Sequence, residues 1–484
     1  MTSAAAPVEE NAIVPGTVTG LWLRHLVSLF FPAVSLTFLW TGPHRWYVAA
    51  LFLLPLIAAH QLDCGPKVER REPEASHPAW PFDLLVYALA GLQLLVVFEL
   101  VRLFAVQGFF SVDMLMVFLV VGGSSGFSIV TAHELLHRRK PWEQRLGRLL
   151  LCSVLYEHFF TEHLRGHHVR VGTPEDSASA RFGETYEAFF RRTVPGQFRS
   201  AWRIEAKRLG DADMKLWDRR TLGNRVLHGL AFEWGLTVWV FLAFGGAAVL
   251  AFVLQAFAAV RLLEAVNYFE HWGLIRRGPR VRHVDSWDTH AWTTYYGLIG
   301  LTRHADHHAW PARPFQQLHA VEEAPLLPYG YVGMVDLVMA NNDEFQQRAT
   351  DELARRGLGP FAEGGVEAAN ARSALEQAQR EAAPPREPGA LARTWRGIPV
   401  ALRRGLLLVG LLLAVTAGVQ WETAGAVMSS FARFALNAWI VAAVALAIFV
   451  MRRFDARFQH ETFAFGVGFT VLIAAGLLGD ALFG

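Results

Sequence analysis

"MLMVFLVVGGSSGFSIVTAHELLHRR", residues 114 to 139, decides how the chain is to be read. Nineteen residues without a charge, Met114 to Ala132, run straight into His133 and His137 and then into Arg138 and Arg139. About 20 apolar residues span the hydrocarbon core of a bilayer, so the run predicts a membrane helix. His133 and His137 stand at i and i+4, which puts both imidazoles on one face of that helix. A pair of metal-ligand side chains therefore sits at the mouth of a membrane helix, beside basic residues that mark the cytoplasmic side.

Working outward, three other runs match the first: Leu21–Trp40, Leu84–Phe104 and Val226–Val249. Two are shorter. Ala251–Val266 carries Arg261 and Glu264, and Trp46–His60 contains Pro55, which membrane helices tolerate. Together they predict an all-α integral membrane protein with a six-helix core. The 17 Lys and Arg between Arg138 and Arg220 place that segment in the cytoplasm. The N-terminus and the loop holding Lys67, Arg70 and Arg71 fall on the same side. No basic n-region followed by a small-residue cleavage site is evident, so no cleaved signal peptide is expected.

The organisation predicted is fourfold. Residues 1–20 form a cytosolic lead, 21–345 the membrane domain and 346–398 a polar linker rich in Ala, Gly, Glu, Arg and Pro. Residues 399–484 carry three more apolar runs, Leu402–Val419, Phe434–Val450 and Phe463–Leu482, read as extra transmembrane helices. The net charge of +2 gives no reason to expect a nucleic-acid partner. The two cysteines, Cys64 and Cys152, form no CxxC pair, too few thiolates for an iron–sulfur or thiolate-zinc site. Any electrons the protein uses must come from another polypeptide.

Nine of the 19 histidines lie in four compact groups. "HELLH" holds His133 and His137. "EHLRGHH" holds His163, His167 and His168. "NYFEHWG" holds His271, and "LTRHADHH" holds His304, His307 and His308. On an α-helix His163 and His167 share a face and His168 turns about 100° away. His304 and His308 likewise share a face. Neutral imidazole suits first-row metals, and one ion takes roughly four to six ligands, so nine rings are about right for two ions. Glu134, Glu162, Glu270 and Asp306 stand beside these rings, where they can accept the second ring N–H or, for one of them, bind metal directly. A zinc or copper transporter is the non-enzyme alternative. Its ligands would be expected near the bilayer midplane, whereas these groups fall at its edge.

The order HxxxH, HxxxHH, HxxHH on a polytopic chain resembles the membrane non-haem diiron superfamily. The fuller strings, with "TPEDSASARFGETYEAFFRRTVPGQFRSAW" and "LPYGYVGM", resemble its alkane 1-monooxygenase family over about residues 20 to 345. The NYxEH context of His271 adds specificity. The resemblance implies a cytoplasmic histidine-rich cap, two irons on the nine histidines, O2 as co-substrate, and Asn267 as a supporting residue beside Glu270. It implies hydroxylation of an alkane C–H bond, most simply the terminal one, with a lipid desaturase or hydroxylase as the alternative on the same metals. Electrons would come from rubredoxin and an NAD(P)H-dependent rubredoxin reductase, at the bacterial inner membrane. Leu164, Thr302 and Ala305 replace the family's usual Asn, Gln and Ser and leave all nine histidines in place. The resemblance also implies a chain-length-limiting residue on the second membrane helix. Ungapped matching around Pro55 puts Ala50 there, small enough to admit longer chains.

Overall fold

The computed structural model describes residues 18–382, apart from 70, 73–77, 110 and 364. All regular elements among the described residues are helical; the strand-like pairings are two isolated bridges, Val68 with Ala291 and Asp288 with Leu326. Six helices are long and apolar enough to cross a membrane: Thr19–Thr41, Trp46–Asp63, Trp80–Gln107, Val112–His137, Arg225–Phe244 and Gly246–His271. They are numbered below as the first to sixth spans. The chain is an integral membrane protein with six candidate spans, as its apolar runs predict. Residues 1–17, the distal part of the expected linker and the three C-terminal apolar runs lie outside the described residues.

The break between the last two spans falls earlier than the hydropathy suggests. The apolar run Val226–Val249 is cut at Gly245, whose φ of +84° suits a residue without a Cβ, and the sixth span begins at Gly246. That span is 26 residues long and includes Arg261 and Glu264. Neither charge faces lipid unpaired. Arg261 bonds Glu187 at 2.7 Å and lies over the rings of Tyr186 and Phe190. Glu264 accepts from Tyr156 and Gln197 at 2.9 Å and from Asn267 at 3.1 Å. The helix Tyr186–Arg208 supplies most of these partners and covers the end of the sixth span.

The packed region also runs beyond residue 345. Helices Asn342–Arg356 and Ala371–Ala382 occupy part of the expected linker. Phe345, Ala349 and Leu353 recur every four residues and are buried together, an amphipathic stripe that the surrounding polar composition hides. Gln346 Nε2 donates to the Glu184 carbonyl at 2.8 Å, tying this helix to the cap.

The fourth and sixth spans lie against each other through small residues. A Cβ on Gly122 would meet the Ala258 Cβ at 2.3 Å, and one on Gly126 would meet Leu262 at 2.5 Å. Glycines four apart let two membrane helices approach backbone to backbone. This contact sets the distance between His133 and His137 on one helix and His271 on the other.

Gly122→Leu forces these two spans apart. Overpacking of this kind costs about 1–3 kcal/mol. The variant is expected to melt several degrees lower and to retain less metal, measured by thermal unfolding in detergent and by elemental analysis. An unchanged melting temperature with full metal content would contradict the close contact.

Candidate metal centre

The nine histidines converge on one end of the bundle in two groups. His133, His137, His163, His168 and His307 form one; His167, His271, His304 and His308 form the other. Within each group, one nitrogen per ring lies within 4.8 Å of all the others. Seven rings are buried, and His137 and His168 are partly so. The groups adjoin, with the His168 and His308 rings stacked 4.3 Å apart.

Each element delivers its rings by a local device. The last two turns of the fourth span present His133 and His137 on one face, and the sixth span ends on His271. The short helix His304–Ala309 is held at both sides: Asp288 Oδ1 accepts from Ala305 N at 2.7 Å, and buried Arg303 donates to the carbonyls of Leu318 and Arg71. His304 and His308 share a group, as their i, i+4 spacing predicts, while His307, expected beside them, joins the other group.

"HLRGH" departs from that spacing. Residues His163–His167 form a π-turn, with i to i+5 hydrogen bonding. The wider turn brings His163 into register with His168, five residues on, and sends His167 to the second group. The expected pairing of His163 with His167 on one face is thus replaced by His163 with His168. Gly166 allows the turn: a Cβ there would sit 2.5 Å from the Glu162 carboxylate and 2.4 Å from Arg170 Nη2.

The nitrogens crowd one another. His163 Nε2 lies 2.9 Å from His137 Nε2 and 3.0 Å from His168 Nε2. His168 Nε2 is 3.2 Å from His307 Nε2, and His271 and His304 approach at 3.2 Å. His133 Nε2 and both nitrogens of His308 are buried without a partner among the described residues. Burial, and then the neighbouring imidazoles, hold His163, His168, His304, His307 and His308 well below the ordinary histidine range. The rings are therefore neutral at pH 7, with lone pairs aimed inward. Clustered inward lone pairs repel unless a cation lies between them, and neutral imidazole is the form that binds metal. The donor set fits two first-row transition ions, one per group.

The acids chosen by sequence proximity are placed differently from one another. Glu134 pairs with Arg138 at 3.1 Å, Glu162 with Arg170 at 2.8 Å, and Asp306 with Arg313 at 2.5 Å. Glu270 reaches the cluster: its Oε2 is 3.3 Å from His304 Nε2, while Tyr331 donates to Oε1 at 2.6 Å. Asn267 donates to Glu264, one turn earlier on the same helix. The carboxylate that reaches the outer nitrogen of a clustered ring is Asp176, 2.8 Å from His167 Nδ1. Ser179 also donates to it, at 2.7 Å. Burial would raise the Asp176 carboxyl, but the adjacent His167 and the hydrogen bonds from His167 and Ser179 outweigh burial and leave it at about 2. Asp176 lies in a turn-rich loop nine residues beyond His167, and no spacing rule points to it.

Beside the histidines lies a cavity. His133, His163 and His304 lie at one side of it, with Ile129, Leu262 and Val266 among its apolar walls. Ala50 is half-buried near the start of the second span and is not part of this lining.

Residues 112–337 match the fatty acid desaturase family model. Alkane 1-monooxygenase 1 of Pseudomonas aeruginosa is 41% identical over 217 residues, 44% of this chain and 56% of that protein. The alkane 1-monooxygenase of Acinetobacter baylyi is 38% identical over 230 residues, covering 46% and 56%. Alkane 1-monooxygenase 1 of Alcanivorax borkumensis is 38% identical over 227 residues, covering 45% and 54%. The chain spans a little over half the length of these curated relatives. Over the matched stretch, which holds all nine clustered histidines, the chain is similar to alkane 1-monooxygenases and to the fatty acid desaturase family model.

Carboxylates on the outer nitrogen of a ligating histidine typically change metal affinity about 10–100-fold. Asp176→Asn is therefore expected to weaken one of two metal sites by that factor and spare the other, read by chelator competition. Equal retention at both sites would exclude this role.

Proposed function

We propose that this protein uses O2 to hydroxylate an unactivated C–H bond of an alkane or similar hydrophobic chain, at two irons held by the nine histidines. The observation that carries the reading is the gathering of buried imidazoles into groups of five and four beside an apolar cavity. A desaturase would use the same metals and give an alkene instead.

Bound iron supplies the reduction of O2 and the cleavage of the C–H bond. The chain's own residues position and insulate. His133, His137, His163, His168 and His307 hold one ion; His167, His271, His304 and His308 hold the other. Asp176 fixes the ring of His167 and its tautomer through the Nδ1 contact. Glu270, anchored by Tyr331, places a carboxylate against the group of four, where it would offset the positive charge of an ion held by imidazoles. Asn267 and Glu264 extend that hydrogen-bonded support along the sixth span. Arg138 gathers Glu134, Asp83 and Glu143 and so fixes the end of the helix that carries His133 and His137.

Ile129, Val130, Phe159, Leu262, Leu263 and Val266 give the cavity an apolar wall suited to a hydrocarbon, and its polar part is Asn267, Glu270 and three of the histidines. Selectivity then follows shape and depth. A chain that enters lengthwise presents its methyl group first, which favours terminal hydroxylation. The two cysteines form no thiolate cluster, so electrons arrive from a separate protein. The family resemblance names rubredoxin, reduced by its NAD(P)H-dependent reductase. The Lys/Arg excess between residues 138 and 220 supports a cytoplasmic position for the histidine end, and the family resemblance implies a bacterial inner membrane.

Membranes containing the chain, supplied with rubredoxin, its reductase, NADH and n-alkanes, are expected to yield 1-alkanols, with loss of product in His133→Ala and His304→Ala. Product analysis by gas chromatography checks this. Alkenes would redirect the reading to desaturation, and zinc or copper transport without oxidation would replace it.

A further inference from the structure

Residues 209–224 connect the helix Tyr186–Arg208 to the fifth span. They carry the three most exposed large apolar side chains among the described residues outside the spans: Leu216 at 70%, Trp217 at 80% and Leu222 at 72%. The connection that presents them is folded. Thr221 Oγ1 donates to the Lys215 carbonyl at 3.0 Å and Thr221 N to the Asp218 carbonyl at 2.9 Å, which closes the segment on itself. Met214, Thr221 and Asn224 are buried, and Asn224 Oδ1 caps the fifth span by accepting from Val226 N at 2.9 Å. The polar and small anchors point inward and the large apolar groups outward, the reverse of an ordinary water-facing loop.

One contact fixes the depth of this segment. The Leu222 carbonyl accepts from His228 Nε2 at 2.6 Å, and His228 lies in the first turn of the fifth span. Leu222 is therefore level with the point where a membrane-crossing helix begins, at the boundary between headgroups and acyl chains. Tryptophan is favoured at that boundary because its ring is apolar and its N–H is not.

The charges match the same surroundings. Between residues 203 and 225 there are seven Lys and Arg against four Asp and Glu. Arg203 pairs with Asp213 and Arg220 with Asp218, whereas Lys207, Lys215 and Arg219 have no acidic partner among the described residues. Lys215 Nζ lies 5.5 Å from the centre of the Trp217 ring, so a free cation and the most exposed of the three apolar groups stand together. Basic side chains at a membrane surface are drawn to anionic lipid phosphates. A water-soluble partner would have to displace the headgroups that surround the start of the fifth span.

We propose that residues 209–224, with Lys207, form a binding surface for anionic phospholipid: Leu216, Trp217 and Leu222 enter the headgroup–acyl boundary, and Lys207, Lys215 and Arg219 take the lipid phosphates. The surface is joined to the metal centre by one buried carboxylate. Glu205 accepts from Arg208 Nε at 2.9 Å and from Arg225 N at 3.2 Å, on either side of the connection, and from Arg165 Nη1 at 3.0 Å, inside the His163–His167 turn. Seating the connection in the bilayer thus steadies the turn that delivers three of the histidines.

The test places a photoreactive phenylalanine at position 217, in place of Trp217, in the full-length chain. The protein is held in nanodiscs made of equal amounts of phosphatidylglycerol and phosphatidylcholine with identical acyl chains, and the crosslinked species are identified by mass spectrometry. Lipid adducts are expected, with phosphatidylglycerol favoured about fivefold, the factor supplied by one cation near a charged headgroup. The double change Lys215→Gln and Arg219→Gln is expected to bring that ratio toward one while lipid adducts persist. The same probe in place of Leu242, which is 77% exposed on the fifth span, is expected to capture the two lipids equally. Absence of lipid adducts at position 217 while position 242 gives them would overturn the proposal. Equal capture of the two lipids at position 217 would remove the phosphate contacts and overturn it too. So would adducts formed only with an added acidic electron-carrier protein, which would make the surface a protein-docking face instead.

Discussion

Nine imidazoles packed into two adjoining groups, seven of them buried, form an arrangement that protein atoms alone do not stabilise. Nitrogens such as His163 Nε2, with neighbours at 2.9 and 3.0 Å, have too few protons between them to make every contact a hydrogen bond. Cations relieve that conflict, and the rest of the described structure can be understood as holding the rings where cations would. The fourth and sixth spans meet through Gly122 and Gly126, which fixes the separation of three rings. Asp288 and Arg303 pin the helix that carries three more. The π-turn at His163–His167 distributes the remaining three between the groups.

Much of this was legible in the sequence because its governing signals are local. Charge-free runs mark spans by length alone, and i, i+4 spacing correctly pairs His133 with His137 and His304 with His308. The misses share a different cause. The π-turn changes the helical period by one residue, and nothing in "HLRGH" except Gly166 hints at it. Asp176 reaches His167 through the folding of a loop, so its position along the chain carries no signal. Glu134, Glu162 and Asp306 look like histidine partners by adjacency, but nearby arginines pair with them. The stripe Phe345, Ala349, Leu353 was masked by polar neighbours that form the outer face of the same helix.

Polarity changes in steps along the interior. The histidine cluster gives way to an apolar cavity, then to a wall of Phe127, Val130 and Leu298, then to a pocket holding Ser124 and Gln93. A uniform hydrocarbon slot would need none of the last group. Polar side chains persist inside membranes where they bind something or pair with each other. Here Gln93 pairs with Ser125, while Ser124 Oγ and Gln93 Oε1 have no partner among the described residues.

The central claim is that the two histidine groups each bind an iron. Elemental analysis of the purified full-length chain, expressed with iron in excess and set against its protein concentration, tests it most directly. The account predicts two irons per chain, with zinc and copper well below one. A single metal per chain, or two ions that are not iron, would contradict it.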